Sequence, residues 1–218
     1  MQSKKSKAVI SPVMQKVSAY IAAAPKKPLP AKVVEKTKHH ILDTLAAMVS
    51  GAKLKPGRVT LSYAKTLGGK PEACVPGSRL MLPLVNAAMI NGMLAHADET
   101  DDSHAPSLTH PGCAIVPAAL AMAERMQCDG VTLLRAVTLG YDIGTRASLA
   151  LGGYDMANAG RDTHSIGTSF GAAAAAAARP QRGSLVFRDS VQTPAEIHAR
   201  TDITCSRARP YVELDWPA

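Results

Sequence analysis

The sequence predicts an all-α, multi-helix domain followed by an irregular C-terminal tail. Three observations carry that reading. Aromatic residues make up only 4% of a chain that is 46% hydrophobic, and a core built from Ala, Leu, Val and Met suits closely packed helices better than a β-sandwich. Apolar residues recur at helical spacing in successive segments. Proline and glycine clusters separate those segments. The 218 residues and 22.8 kDa allow one domain with a sizeable core or two small ones. This composition excludes intrinsic disorder, and no stretch approaches eighteen clean apolar residues, which excludes a membrane span.

The first helix is expected over residues 9–24, where Val9, Val13, Val17, Tyr20 and Ile21 fall on one face. Pro25, Pro28 and Pro30 stop it. A second helix should run from Ala31 to Ser50, with Gly51 as its C-terminal stop. A third, short one is expected from Val59 to Leu67. Residues 70–78 read as a loop with one extended stretch at Ala73–Val75. A fourth helix fits Pro83 to Ala95, with Pro83 in its first turn. After a polar segment, a fifth should begin near Ala114 and run to Met126, tolerating Pro117 only in its first turn. Asp129-Gly130 breaks the chain, and Val131 to Leu151 reads as a long amphipathic helix. Residues 154–163 read as an irregular connection. The last helix, Ser165 to Ala178, ends in seven consecutive alanines and should be a buried packing helix.

Charge and thiols narrow the function classes. The net charge is +8, and nine lysines precede residue 40 against one acid, Glu35. A solvated, flexible basic N-terminus over residues 1–8 is the expectation. No aromatics interleave the lysines and no DNA-binding motif follows, so a nucleic-acid partner is not expected; nor is a membrane. Pro12 and Lys16 argue against a secretory signal. The acid-poor start resembles a mitochondrial presequence, but Lys replaces the usual Arg. The four cysteines, Cys74, Cys113, Cys128 and Cys205, lack CxxC spacing. Zinc-finger and thioredoxin readings therefore fail, and reduced thiols in the cytoplasm are expected.

The character of the chain changes after Ala178. Residues 1–178 hold thirteen Lys and six Arg, whereas residues 179–218 hold no Lys, six Arg and the only Trp, Trp216. Apolar periodicity weakens there. Residues 9–178 thus read as the helical domain and 179–218 as an atypical, loosely packed tail, as after a frameshift or a truncation.

The chemistry concentrates in His96-Ala97-Asp98-Glu99-Thr100-Asp101-Asp102-Ser103-His104, followed by Thr109-His110-Pro111-Gly112. Four carboxylates and three imidazoles lie within fifteen residues. Like charges this close push some carboxylate pKa values up, while imidazoles hold others ionised; that spread supplies both a general acid and a general base. Three readings compete: a solvated acidic loop that caps helices, a metal site whose spacing matches no standard signature, and a metal-free acid/base site.

This segment resembles the signature of the MmgE/PrpD family, which typically reads H-A-x-D-x-D-D-T-H followed by H-P-G. The resemblance extends beyond it. Leu29-Pro30 leading into His40-Ile41-Leu42-Asp43-Thr44-Leu45-Ala46 is similar to the family's opening helix, and Asn86-Ala87-Ala88 with Asn91-Gly92 to the helix before the signature. Gly140-Tyr141-Asp142-Ile143 with Arg146, and His164 with Gly167-Thr168 and Phe170-Gly171-Ala172-Ala173, are similar to later segments, in the correct order over residues 10–178.

The resemblance implies a lyase acting on a small polycarboxylate, such as dehydration of a 2-methylcitrate-like hydroxy acid, without metal or other cofactor, in a homodimer. It places Glu99 where the family's first signature acid is usually Asp, Asp101 and Asp102 on the paired aspartates, and Ser103 on a usual Thr. His110 and His164 fall on the family's two histidines. His110 and His164 are then expected to converge as acid/base and charge-stabilising groups. Glu99 and Asp102 would tune them, and Ser103 would donate a hydrogen bond. Asp98 and Asp101 would lie at the substrate, and Arg146 either binds a substrate carboxylate or forms a helix-surface salt bridge. The family's chains are about twice this long, so the site is expected to be an N-terminal half-site, with or without turnover. The alternative is a non-catalytic helical domain that binds or dimerises.

Overall fold

The computed structural model describes residues 11–178. The basic start and the compositional break after Ala178 lie outside the described residues. Within them the protein is all-α, with one two-stranded ribbon.

Helix α1 (Pro12–Ala23) is capped by the Ser11 hydroxyl, which accepts from Met14 N at 3.2 Å, and buries Val17 and Ile21. The proline-rich stretch holds a 3-10 turn, and α2 (Ala31–Gly51) follows with Pro30 at its cap. Gly51 is not a left-handed stop: Ala52 after it remains right-handed at φ −58. Helix α3 (Lys55–Ala64) starts four residues before the expected Val59, because Pro56 sits in its first turn, where its missing N–H costs nothing. The extended stretch pairs, as β1 (Ala73–Cys74) against β2 (Met81–Leu82), antiparallel, with Ala73 opposite Leu82.

Helix α4 (Leu84–Ala95) has Pro83 at its cap position rather than in its first turn, and Glu72 accepts from Leu84 N at 3.1 Å. Helix α5 (Gly112–Met126) begins two residues earlier than expected, which puts Pro117 in its second turn. Helix α6 (Gly130–Ala150) is capped by Asp129, which accepts from Thr132 N at 2.8 Å. The connection expected to be irregular contains a short helix, α7 (Gly153–Asn158). Helix α8 (His164–Ala177) closes the described part, with the Asp162 carboxylate accepting from His164 N and Ser165 N at 2.9 and 3.1 Å.

The core sits around α4, α5, α6 and α8. Ile90, Leu94, Ile115, Val116, Val137 and Ile143 are fully or almost fully buried, each contributing about 1.5–3 kcal/mol of transfer free energy. The alanine run is the packing surface foreseen for it: Ala174, Ala175 and Ala177 are buried. Helices α6 and α8 cross so closely that a Cβ on Gly171 would lie 2.7 Å from the Gly140 carbonyl oxygen, and one on Gly140 2.9 Å from that of Gly171. This crossing brings the start of α8 beside the loop between α4 and α5.

Candidate active site

The loop between α4 and α5 is stitched down at several points. Its 3-10 turn (Ala105–Ser107) is flanked by a bridge between His104 and Thr109. The Ser107 hydroxyl lies 2.7 Å from both His104 Nδ1 and the Thr109 hydroxyl. Thr163, the residue before α8, donates its hydroxyl to the Leu108 carbonyl at 2.8 Å. That bond joins the loop that carries His110 to the helix that starts with His164.

The two histidines meet. Their ring centroids are 5.3 Å apart and nearly parallel, at 24°. His96, at the end of α4, approaches His110 edge-on, at 5.6 Å and 62°. Three imidazoles from three elements thus share one patch. It is open to solvent: the side chains of His96, His110 and His164 are 45%, 27% and 54% exposed.

The paired aspartates part company beneath it. Asp101 has no exposed side-chain surface and faces the histidines, with His96 Nδ1 at 3.1 and 3.2 Å from its two oxygens and His110 Nδ1 at 3.7 Å. His110 Nδ1 is buried and lacks a hydrogen-bond partner among the described residues. The Cys113 thiol donates to the His110 carbonyl at 3.1 Å. Burial, with Asp101 beside it, pushes that thiol up to about 12, so it is a neutral, half-buried group.

Asp102 points into a second network. It accepts from Gly112 N and the Tyr141 hydroxyl, each at 2.8 Å, and pairs with His40 Nδ1 at 2.8 Å. Burial alone would raise its carboxyl, but the bonds from His40, Tyr141 and Gly112 N outweigh it and hold the group below the usual carboxylate range. Burial and the Asp102 charge push the Tyr141 hydroxyl far up, so it remains a donor. Gly112 admits no side chain, because a Cβ would sit 2.5 Å from Asp102 Oδ1 and 2.7 Å from the Thr44 hydroxyl. His40 faces a cavity of about 330 Å³ between α2 and α6, lined also by Lys32, Lys36, Thr37 and Thr138.

The remaining candidates lie at the rim or elsewhere. Glu99 is exposed, has a left-handed backbone at φ 58, and places Oε1 3.9 Å from His96 Nε2. Ser103 is exposed. Asp98 accepts from the Thr100 hydroxyl at 2.7 Å, and that bond, with one from Ser50, holds its carboxyl low. Arg146 donates from Nε to Asp142 at 2.7 Å, and Asp142 also accepts from the Tyr20 hydroxyl at 2.8 Å, which places the arginine in the seam between α1 and α6. His40, His96 and Tyr141 were not singled out as site residues. All three stand inside the segments that carried the family resemblance, and that was the signal available.

Comparison with known proteins gives the family. The MmgE/PrpD N-terminal domain matches residues 15–179. The chain belongs to the MmgE/PrpD family. It is 31% identical to cis-aconitate decarboxylase of Homo sapiens over 150 residues, 66% of this chain and 31% of that protein. It is 30% identical to cis-aconitate decarboxylase of Aspergillus terreus over 190 residues, 83% of this chain and 36% of that protein. Cis-aconitate decarboxylase-like protein oryM of Aspergillus oryzae is 27% identical over 187 residues, 83% of this chain and 37% of that protein. The chain therefore spans about a third of the length of the curated relatives it matches. No helix among the described residues is long and apolar enough to cross a membrane.

Proposed function

We propose that this chain is the helical part of an MmgE/PrpD-type lyase acting on a small polycarboxylate, and that His96, His110 and His164 are the share of the active site it supplies. The observation that supports this most is the stack of His110 on His164 at 5.3 Å. Two facing imidazoles offer ring N–H donors to one side, and a polycarboxylate supplies acceptors for them. Asp101 works from behind, orienting His96 and His110; a buried carboxylate is a poor partner for a carboxylate substrate. Glu99 stands at the rim beside His96 as a proton-relay group, Ser103 offers a hydroxyl, and Asp98 holds the turn through Thr100. Asp102 acts on the loop rather than on the substrate, by fixing the first turn of α5.

The relatives' names favour decarboxylation of a cis-aconitate-like acid over dehydration of a 2-methylcitrate-like one. In such a decarboxylation the C–C bond to one carboxylate breaks and CO2 leaves. Its electron pair forms a new C=C bond, the old one opens, and its far carbon takes a proton. An imidazolium at the stack would supply that proton, and its neighbours would hold the remaining carboxylates. No step needs a metal or another cofactor.

The test is turnover of cis-aconitate, citrate and 2-methylcitrate by the purified chain in D2O, followed by proton NMR. Loss of CO2 from cis-aconitate with one deuterium incorporated is expected, and His110→Gln and His164→Gln should each slow it by about 10²–10⁴-fold. A folded chain that turns over none of the three supports a second reading, a binding or dimerising domain. That reading draws its support from the match, which covers only about a third of each relative.

A further inference from the structure

We propose that His96, Asp101 and Cys113 form a binding site for a divalent transition cation of the zinc class, with His110 Nδ1 as the fourth donor. This goes beyond the lyase reading and does not depend on it. One ligand atom from each of His96, Asp101 and Cys113 lies within 4.8 Å of the other two. The donor set is one imidazole nitrogen, one carboxylate oxygen and one sulfur, the mixture that borderline-soft ions take and that Mg²⁺ and Ca²⁺ do not. Independently, His110 Nδ1 is a buried nitrogen without a hydrogen-bond partner among the described residues, 3.7 Å from Asp101 Oδ1. An orphaned buried nitrogen 3.7 Å from one of the three donor atoms is placed to join them as a fourth ligand once the cluster tightens.

The geometry is close to what coordination requires. Ligands on a tetrahedral zinc ion stand about 3.3–3.8 Å apart, given bonds of about 2.0–2.3 Å. The cluster therefore has to tighten by about an ångström. His96 can supply most of that movement, because its ring is 45% exposed at the end of α4. Asp101 and Cys113 sit on the loop and on the first turn of α5, which Asp102 anchors through Gly112 N. As the S–metal bond forms, the thiol proton leaves to the buffer and the hydrogen bond to the His110 carbonyl is given up. The Asp101 carboxylate and the thiolate then neutralise the ion.

Titration of the reduced, tag-free 218-residue chain with Co²⁺ tests this, because cobalt bonded to thiolate gives a near-ultraviolet charge-transfer band. One equivalent of Co²⁺ should produce the band and Zn²⁺ should bleach it. Cys113→Ser should abolish it, whereas Cys74→Ser, Cys128→Ser and Cys205→Ser keep it. His96→Ala should weaken Co²⁺ binding at least about tenfold. A second measurement on the unaltered chain needs no variant to fold: calorimetric titration with Zn²⁺ should show one equivalent bound and one thiol proton released, read from the dependence of the heat on the buffer. Absence of the band with excess Co²⁺, its survival in Cys113→Ser, or Zn²⁺ uptake without release of a proton would each overturn the proposal. None of these readouts requires catalysis, so failure of the lyase reading is separate from failure of this one.

Discussion

Two adjacent aspartates, Asp101 and Asp102, carry different work because the backbone turns them to opposite sides of one loop. Asp101 serves the histidine patch, while Asp102 ties α2, α6 and the start of α5 together through His40, Tyr141 and Gly112 N. The second role has a stability consequence with a definite sign. The Asp102 carboxyl is held below its ordinary value, near ~3.9 when unperturbed. Its contribution is therefore fully present above that value and is lost as pH falls through the lower, folded one. Asp102→Asn leaves an acceptor oxygen but sets an NH2 group among three donors, and should cost about 1–3 kcal/mol. Urea unfolding at pH 7 should show that loss, and the gap between variant and parent should narrow as the pH falls below about 4. A gap independent of pH would mean that the charge of Asp102 is not what stabilises the loop.

At the scale of elements, the crossing of α6 on α8 decides whether His164 reaches His110. The contact is backbone against backbone at Gly140 and Gly171, so a methyl group has nowhere to go by side-chain rotation. Gly171→Ala should cost about 1–3 kcal/mol as overpacking, seen in thermal unfolding. Because it moves α8 away, it should also weaken polycarboxylate binding more than a distant substitution of equal stability cost. The helices themselves were legible from the sequence: apolar spacing and proline punctuation located seven of the eight among the described residues to within a few residues. The misses have local causes. Pro56 extended α3 backwards, and α7 is too short to show a period. The start of α5 moved because its first N–H is satisfied by Asp102 from the preceding loop, a contact that spacing cannot reveal.

The stack of His110 on His164, 54 positions apart, was expected because the family resemblance put both at one site; composition and periodicity alone left the loop open between capping, metal and acid/base readings. What stayed illegible was the division of labour beneath it. The sequence reading grouped Asp102 with the histidines and Asp101 with the substrate, and the structure places Asp101 under the histidines and Asp102 beside His40 and Tyr141.

At the scale of the molecule, large apolar side chains remain outside. Val85, Met89 and Met93 recur every four residues along α4 at 74%, 43% and 48% exposure, and Leu42 on the neighbouring α2 is 68% exposed. We propose that a second copy of the chain covers this face, forming the homodimer that the family resemblance implies. Sedimentation equilibrium should then report a homodimer, and Met89→Lys should shift it to monomer while far-UV circular dichroism stays helical. A monomeric parent chain at micromolar concentration would contradict it.

The central claim is that three imidazoles from three elements form one polycarboxylate-binding patch. The most direct measurement follows the histidine ring resonances by NMR as the unreactive tricarboxylate tricarballylate is added under EDTA. The account predicts that His96, His110 and His164 shift together along one saturable curve while the exposed His39 stays still, and that His164→Gln weakens binding about 10–100-fold, as loss of a charge-assisted hydrogen bond implies. Resonances that shift independently, with different midpoints, or a response confined to His39 and His40, would contradict it.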